Sequence, residues 1–210
     1  MADYTVAVKR PFQDIKKLLI GTVIEVIPVV NFIAMGYHLN CAKTAMKKEH
    51  ALPEWEDWGG LFTNGLMIFI AMMVYMAPAA VVMVVGMGAS FVGGGMGFMM
   101  GAKTGWMPTL VGLGLSAILA VILCLVAVYL MPAAVLNFAK GGKFGDFFDF
   151  KSVVNNAKRW SYLKALVFSA FYMLIAVIIL SVVPVVGSAL GVFAAGVTAY
   201  TIFGEVYEGI

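Results

Sequence analysis

Three long stretches of this sequence carry no charged side chain. Residues 59–102, 104–139 and 165–204 contain no Asp, Glu, Lys or Arg over 44, 36 and 40 positions. A helix that rises 1.5 Å per residue needs about 20 residues to cross the hydrocarbon core of a bilayer. Each stretch is therefore long enough for a membrane span. Their continuous apolar character favours helices over the ~10-residue alternating strands of a membrane barrel.

The composition agrees with a membrane protein. Hydrophobic residues make up 62% of the chain and charged residues 12%, with a mean hydropathy of +0.97. About a quarter of the residues in a soluble domain are charged. We predict an all-α integral membrane protein that forms one polytopic domain over residues 1–210. It should be a bundle of about four spanning helices plus an N-terminal re-entrant helical hairpin.

The positive charges predict the topology. Thirteen of the 14 Lys and Arg residues fall in three clusters, at 9–17, 43–48 and 140–164. The positive-inside rule places all three clusters in the cytoplasm, so an even number of crossings must separate neighbouring clusters. One span should then begin near Leu61 without a break at Pro78, and another should run from about Pro108 to Phe138. We expect a multi-pass protein of the cytoplasmic membrane with both termini inside.

The apolar segment between the first two clusters should double back rather than cross. Pro28 and Asn31 are residues that interrupt helices and form turns, and each arm beside them is too short to span. A similar turn is predicted at residues 184–187, between two nearly spanning arms.

Four polar residues in or beside the first hairpin form the candidate ion or polar site, because ionisable groups at membrane depth are costly and often functional: Glu25, Asn31, His38 and Asn40. The competing interpretation is that Glu25 is satisfied within the bundle, at the interface or at a subunit contact. His38 would then be an interfacial or hydrogen-bonded histidine.

A short motif occurs twice, 92 residues apart. "EWEDW" at 54–58 aligns with "DFFDF" at 146–150. The repeat predicts two weakly similar parallel halves, about 11–87 and 108–210, around a Gly- and Met-rich segment at 86–107. Aromatic rings favour the headgroup level, and carboxylates there stay hydrated, pair with lysines or cap the next helix. The predicted interfacial anchors are Glu54, Trp55, Asp57, Trp58, Asp146, Phe147, Asp149 and Phe150. Acid–base chemistry or Ca²⁺ or Mg²⁺ binding by these acids is less favoured, because a metal site usually needs more oxygen ligands than one linker offers.

Part of the chain resembles a known family. "GYHLNCA", "LPEWEDWGGLF" and the following "NG" are similar to a mainly archaeal group of polytopic membrane proteins known only as a domain of unknown function. The resemblance covers about 16–74, with looser similarity from 144 onward. It implies a polytopic fold in a membrane and supplies no catalytic residue.

Small residues recur every fourth position in the Gly- and Met-rich segment. On a helix they form one smooth stripe, which lets helix backbones approach closely in lipid and favours self-association. The members of this predicted glycine zipper are Ala89, Gly93, Gly97, Gly101 and Gly105. Because glycine disfavours helices, a loop or re-entrant segment is the alternative. Methionine pairs at 72/76, 83/87 and 96/100 have a spacing suited to Cu(I), but plastic packing explains them more simply.

No enzyme signature is apparent in the sequence. We find no nucleophile–base pair, phosphate loop or metal-ligand set, so we predict no catalytic residue, no metal site and no cofactor. The expected function is non-enzymatic, through helix packing and self-assembly as a homo-oligomer or as an accessory subunit of a membrane complex. Membrane lipids are expected partners. A formal charge of +3 argues against nucleic-acid binding. The alternatives are a channel or transporter with Glu25 near the pathway, and less readily a membrane enzyme.

Overall fold

The computed structural model describes residues 3–99, 106–183 and 185–208. Over these ranges the chain is helical and contains no strand, as predicted. The α-helices, in chain order, are α1 (Tyr4–Lys9), α2 (Ile15–Val26), α3 (Asn31–Met46), α4 (Trp58–Met99), α5 (Trp106–Gly141), α6 (Phe150–Ala157), α7 (Trp160–Leu180) and α8 (Val186–Glu208). Two 3₁₀ helices occupy Arg10–Phe12 and Phe144–Phe148.

Four of these helices are long and apolar enough to cross a membrane. The candidate spans are Trp58–Gly97, Thr109–Gly141, Trp160–Leu180 and Val186–Tyr207. This confirms the prediction of four spanning helices. It also confirms that the first charge-free run does not break at Pro78, which lies inside α4.

Both predicted turns are present. α2 ends at Val26 and α3 begins at Asn31, while α7 ends at Leu180 and α8 begins at Val186. Each turn holds a valine that directly follows a proline in the sequence and has a positive φ, +71° at Val29 and +67° at Val185. Such angles are strained for β-branched residues. At 12 and 16 residues, α2 and α3 reach only about 18 and 24 Å, and their re-entrant depth stays a prediction.

The chain divides into two compact units. The first contains Met1–Ile70 and Pro132–Ile210, and the second contains Ala71–Met131. This division by compactness differs from the division into two related halves, which stays a prediction.

In the first unit, α8 is the central helix. It contacts α1, α2, α3 and α7, and 61% of its most apolar window is buried within the protein, against 17% or less for the other three spans. Glycines allow the close approach: Gly191 lies against the backbone of α7 at Ala176, and Gly204 lies against the α3 carbonyl of Ala42. Small residues at such crossings let helix backbones pack closely in lipid.

Two reciprocal glycines mark the crossing of α3 and α4 in the same unit. A Cβ on Gly36 would overlap the Leu61 carbonyl oxygen, and a Cβ on Gly65 would overlap the Phe32 carbonyl oxygen. Because both obstacles are backbone atoms, no side-chain rotation can relieve the overlap.

The second unit contains an α4–α5 contact made by small residues. Gly86 on α4 faces Ser116 on α5, and Gly112 on α5 faces Ser90 on α4. The Thr109 hydroxyl donates a hydrogen bond of 3.2 Å to the Ser90 carbonyl. One register of small residues is therefore used within the chain.

Candidate functional site

The four residues of the predicted polar site lie on the α2–α3 hairpin. Glu25 is near the end of α2, Asn31 begins α3, and His38 and Asn40 follow on α3. No hydrogen bond joins any two of these side chains in the described part of the chain. The sequence placed them in one hairpin, and the structure does not join them into one cluster. Their role as an ion site stays a prediction.

Glu25 is partly buried and poorly satisfied. Its Oε2 is enclosed and has no hydrogen-bond partner among the described residues. α2 lies outside the four candidate spans, and burial there raises the pKa of Glu25 to about 7. The physical cause is desolvation, which disfavours the charged carboxylate. Glu25 can therefore hold a proton near neutral pH.

His38 is buried in an aromatic environment. Its ring centroid lies 5.2 Å from that of Phe193 and 5.9 Å from that of Tyr200. Gly196 provides the space, because a Cβ there would overlap the imidazole. Burial lowers the pKa of His38 to about 4, so the ring is neutral at physiological pH. No group of three or more His, Cys, Asp or Glu residues with metal-binding geometry occurs among the described residues.

A fully buried arginine organises the same unit, and the sequence analysis did not predict this role for Arg10. One terminal guanidinium nitrogen donates to the Cys41 carbonyl at 3.0 Å and to the Thr201 hydroxyl at 2.9 Å. The other donates to the Thr44 hydroxyl at 2.6 Å and to two loop carbonyls, at residue 49 (3.2 Å) and residue 51 (2.8 Å). Arg10 therefore joins the N-terminal segment, the end of α3, the following loop and α8.

The predicted aromatic anchors divide into two orientations. Trp55 stacks on Tyr37 with ring centroids 4.0 Å apart, and Phe147 stacks on Phe138 at 4.4 Å. These two rings pack inward. Trp58 and Phe150 are 46% and 56% exposed. The outward pair has the orientation that an interfacial anchor needs, and the anchoring role stays a prediction.

The predicted anchor acids have distinct local contacts. Asp57 accepts a hydrogen bond from the Gly60 amide at 3.0 Å, and Asp149, 92 residues later, accepts one from the Ser152 amide at 3.2 Å. Each aspartate therefore caps the helix that follows it. Glu54 pairs with Lys17 at 2.7 Å, and Asp146 accepts from the Lys143 amide at 2.9 Å.

The predicted small-residue stripe lies only partly within the described residues. Ala89, Gly93 and Gly97 belong to α4, so this part is helical, whereas Gly101 and Gly105 fall outside the described ranges. Ala89 and Gly93 are exposed. A Cβ on Gly93 would meet no described atom within 4 Å. The register used in the α4–α5 contact is the neighbouring one, at 86 and 90.

A second polar network converges on Asn137, which the sequence analysis also missed. Its Oδ1 accepts hydrogen bonds from the Ser152 hydroxyl at 3.2 Å, the Asn156 amide at 3.0 Å and the Tyr207 hydroxyl at 2.9 Å. The network joins α5, α6 and α8 within the first unit. The available signal was an asparagine three residues before Lys140 in an otherwise apolar run.

Comparison with known proteins gives one family. A family model described as a protein of unknown function (DUF4013) matches residues 19–185. The match includes the Gly- and Met-rich segment, which the sequence resemblance left out. No curated protein and no solved structure gives a match. The long apolar helices agree with a multi-pass membrane protein.

Proposed function

Because the chain belongs to the DUF4013 family, whose description gives no activity, we propose a function from its geometry: it acts in the membrane through helix packing and self-assembly. It would serve as a homo-oligomer or as an accessory subunit of a larger membrane complex. The observation that carries the proposal is the outward small-residue face of α4, defined by Ala89, Gly93 and Gly97.

This face has the chemistry of a helix–helix contact in lipid. Apolar side chains gain little by leaving lipid for another apolar surface, so association depends on close van der Waals contact between backbones. Glycine costs about 1 kcal/mol relative to alanine in a helix, and an exposed Gly93 recovers none of this by packing within the chain. A second helix laid along the face would supply the missing contacts.

The proposed orientation places the segment before α4 and the end of α8 on the cytoplasmic side. Four crossings return the chain to the side on which it began. The contacts support this arrangement: the Asp3 amide donates to Glu205 at 2.6 Å, and the Lys140 ammonium lies 5.7 Å from the centroid of the Tyr207 ring. The basic clusters then share one face, as the positive-inside rule prefers.

The assembly proposal predicts a smaller particle when the face is filled. In the double variant Gly93→Leu with Gly97→Leu, the added side chains should block close backbone contact. The protein mass per particle, extracted with its native lipid by a copolymer and measured by mass photometry, should fall at least about twofold, as expected when a dimer or larger oligomer separates.

The matched control uses the same change on another face of the same helix. Gly88 and Gly95 are seven residues apart, and a Cβ at either would meet no described atom within 4 Å. Gly88→Leu with Gly95→Leu should leave the particle mass unchanged. An unchanged mass in the Gly93/Gly97 variant, or an equal fall in both variants, would contradict the proposal.

A second candidate function is a channel or transporter for an ion or small solute. The observation that favours it is the enclosed, unpartnered Oε2 of Glu25, whose raised pKa of about 7 allows proton exchange near neutrality. Glu25→Gln should lower proton or potassium flux into proteoliposomes at least about tenfold and leave the particle mass unchanged. Exposed Glu56 provides the control, since Glu56→Gln should retain flux. Equal flux in wild type and Glu25→Gln would exclude this function.

A further inference from the structure

A polar cleft lies where two candidate spans end in the first unit. It encloses about 350 Å³ and is lined by Asn137, Lys140, Asp146, Asp149, Ser152 and Tyr207. Lys140 and Tyr207 are within the last two positions of the spans Thr109–Gly141 and Val186–Tyr207. Polar side chains at the ends of spans lie at the headgroup level of a bilayer. The cleft therefore has access to both lipid headgroups and the aqueous phase.

One buried donor in this cleft has no partner. Asn137 is 6% exposed, and three donors already converge on its Oδ1. These donors assign the oxygen end of the amide, so Nδ2 is the end left over. Nδ2 is buried and makes no hydrogen bond with any described residue. Buried donors in native proteins nearly always have an acceptor, which points to a ligand atom at this position.

The charges around this donor define two poles. The Asn137 amide and the Lys140 ammonium are both donors, and Lys140 is positioned over the Tyr207 ring at 5.7 Å from its centroid. This pole suits an anionic oxygen. Asp146 and Asp149 each use one carboxylate oxygen on a backbone amide, which leaves the other oxygen as an acceptor. This second pole suits hydrogens on an ammonium group.

We propose that the cleft binds a phosphate ester that carries a primary ammonium, a phosphoethanolamine-type group. The phosphate oxygen accepts from Asn137 Nδ2 and pairs with Lys140, while the ammonium donates to Asp146 and Asp149. The adjoining cleft, which shares Asp149 and adds Lys151 and Arg159, supplies further positive charge near the phosphate. The group can come from an aminophospholipid headgroup or from a free ester in solution.

The first test uses full-length protein in phosphatidylcholine nanodiscs and titrates soluble phosphoethanolamine and phosphocholine by calorimetry. Both probes carry a phosphate, but the quaternary ammonium of phosphocholine has no N–H to donate to the aspartates. Phosphoethanolamine should bind at least about tenfold more tightly. Equal affinity for the two probes, or no binding of either, would overturn the proposal.

Lysine variants tie the binding to this cleft. Lys140 is exposed, so Lys140→Gln should preserve the fold and weaken phosphoethanolamine binding about tenfold, through loss of a charge-assisted contact. Lys158→Gln removes the same charge from an exposed position that lines neither cleft, and should bind as the wild type does. Equal binding by Lys140→Gln and wild type would overturn the assignment to this cleft. The particle mass measures assembly separately.

Native mass spectrometry distinguishes the two sources. Protein released from nanodiscs that contain phosphatidylethanolamine should retain that lipid, and Lys140→Gln should lose it, if the ligand is a headgroup. If soluble phosphoethanolamine binds while the lipid is not retained, the proposal stands with a free ester as the ligand. Asn137→Asp, which keeps Oδ1 and replaces the donor by an acceptor, should abolish binding from either source. Retained binding by a folded Asn137→Asp variant would overturn the proposed contact.

Discussion

Replacing Arg10 with alanine should lower the free energy of unfolding by about 3–5 kcal/mol, the range for breaking a buried charged network. The guanidinium makes five hydrogen bonds to two hydroxyls and three carbonyls. Arg10→Ala leaves these acceptors buried without their donor and opens a cavity. Loss of helical circular dichroism during titration with sodium dodecyl sulfate in mixed micelles measures the change.

Lys9 provides the matched control. It is the neighbouring residue, carries the same charge and is exposed. Lys9→Ala should change the free energy of unfolding by no more than about 0.5 kcal/mol. Arg10→Lys should fall between wild type and Arg10→Ala, because one ammonium cannot span acceptors arranged for a planar guanidinium. If Arg10→Ala and Lys9→Ala have the same effect, the buried network does not stabilise the fold as proposed.

The spans and turns could be predicted because their signals are local. An absence of charge over 36 residues or more marks α4, α5 and the α7–α8 pair, and prolines mark the two turns. A bilayer allows few alternatives, since backbone groups in lipid must be satisfied within a helix. Helix α6 was missed: after Asp149 the chain forms this separate helix and starts again at Trp160, whereas after Asp57 it enters α4 directly.

Arg10 and Asn137 could not be predicted, because their partners are distant in sequence. The positive-inside rule counted Arg10 as one member of a cytoplasmic cluster, and a charge count cannot distinguish a buried side chain from a solvated one. Its acceptors lie at 41–51 and 201, and those of the Asn137 network lie at 152, 156 and 207. Such networks exist only once the helices have packed.

The small residues show the same limit. Spacings of four occur both at 86 and 90 and at 89, 93 and 97 in α4. The sequence contains no feature that chooses between these registers, since either forms a smooth stripe on a helix. The position of α5 selects 86 and 90 for contact within the chain, through Ser116 and Gly112. The choice therefore depends on helix rotation, which is set by packing against a neighbour.

The crossing of α3 and α4 gives the other large expected effect. Gly36→Leu should lower the free energy of unfolding by about 3 kcal/mol, at the upper end of the range for overpacking, because the new side chain meets the Leu61 backbone. Gly114→Leu is the control, since a Cβ on Gly114 would meet no described atom within 4 Å. Unfolding in mixed micelles should show the first variant destabilised and the second unchanged or stabilised.

A double-mutant cycle tests whether the two glycines act at one crossing. Gly36→Ala and Gly65→Ala should each destabilise, because each Cβ overlaps a carbonyl oxygen of the opposite helix. A helix shift that accommodates one methyl group also makes room for the other. The double variant should therefore be less destabilised than the sum of the single variants, with a coupling of about 1 kcal/mol. Strict additivity would mean that α3 and α4 do not respond as a pair, and that the two glycines relieve separate contacts.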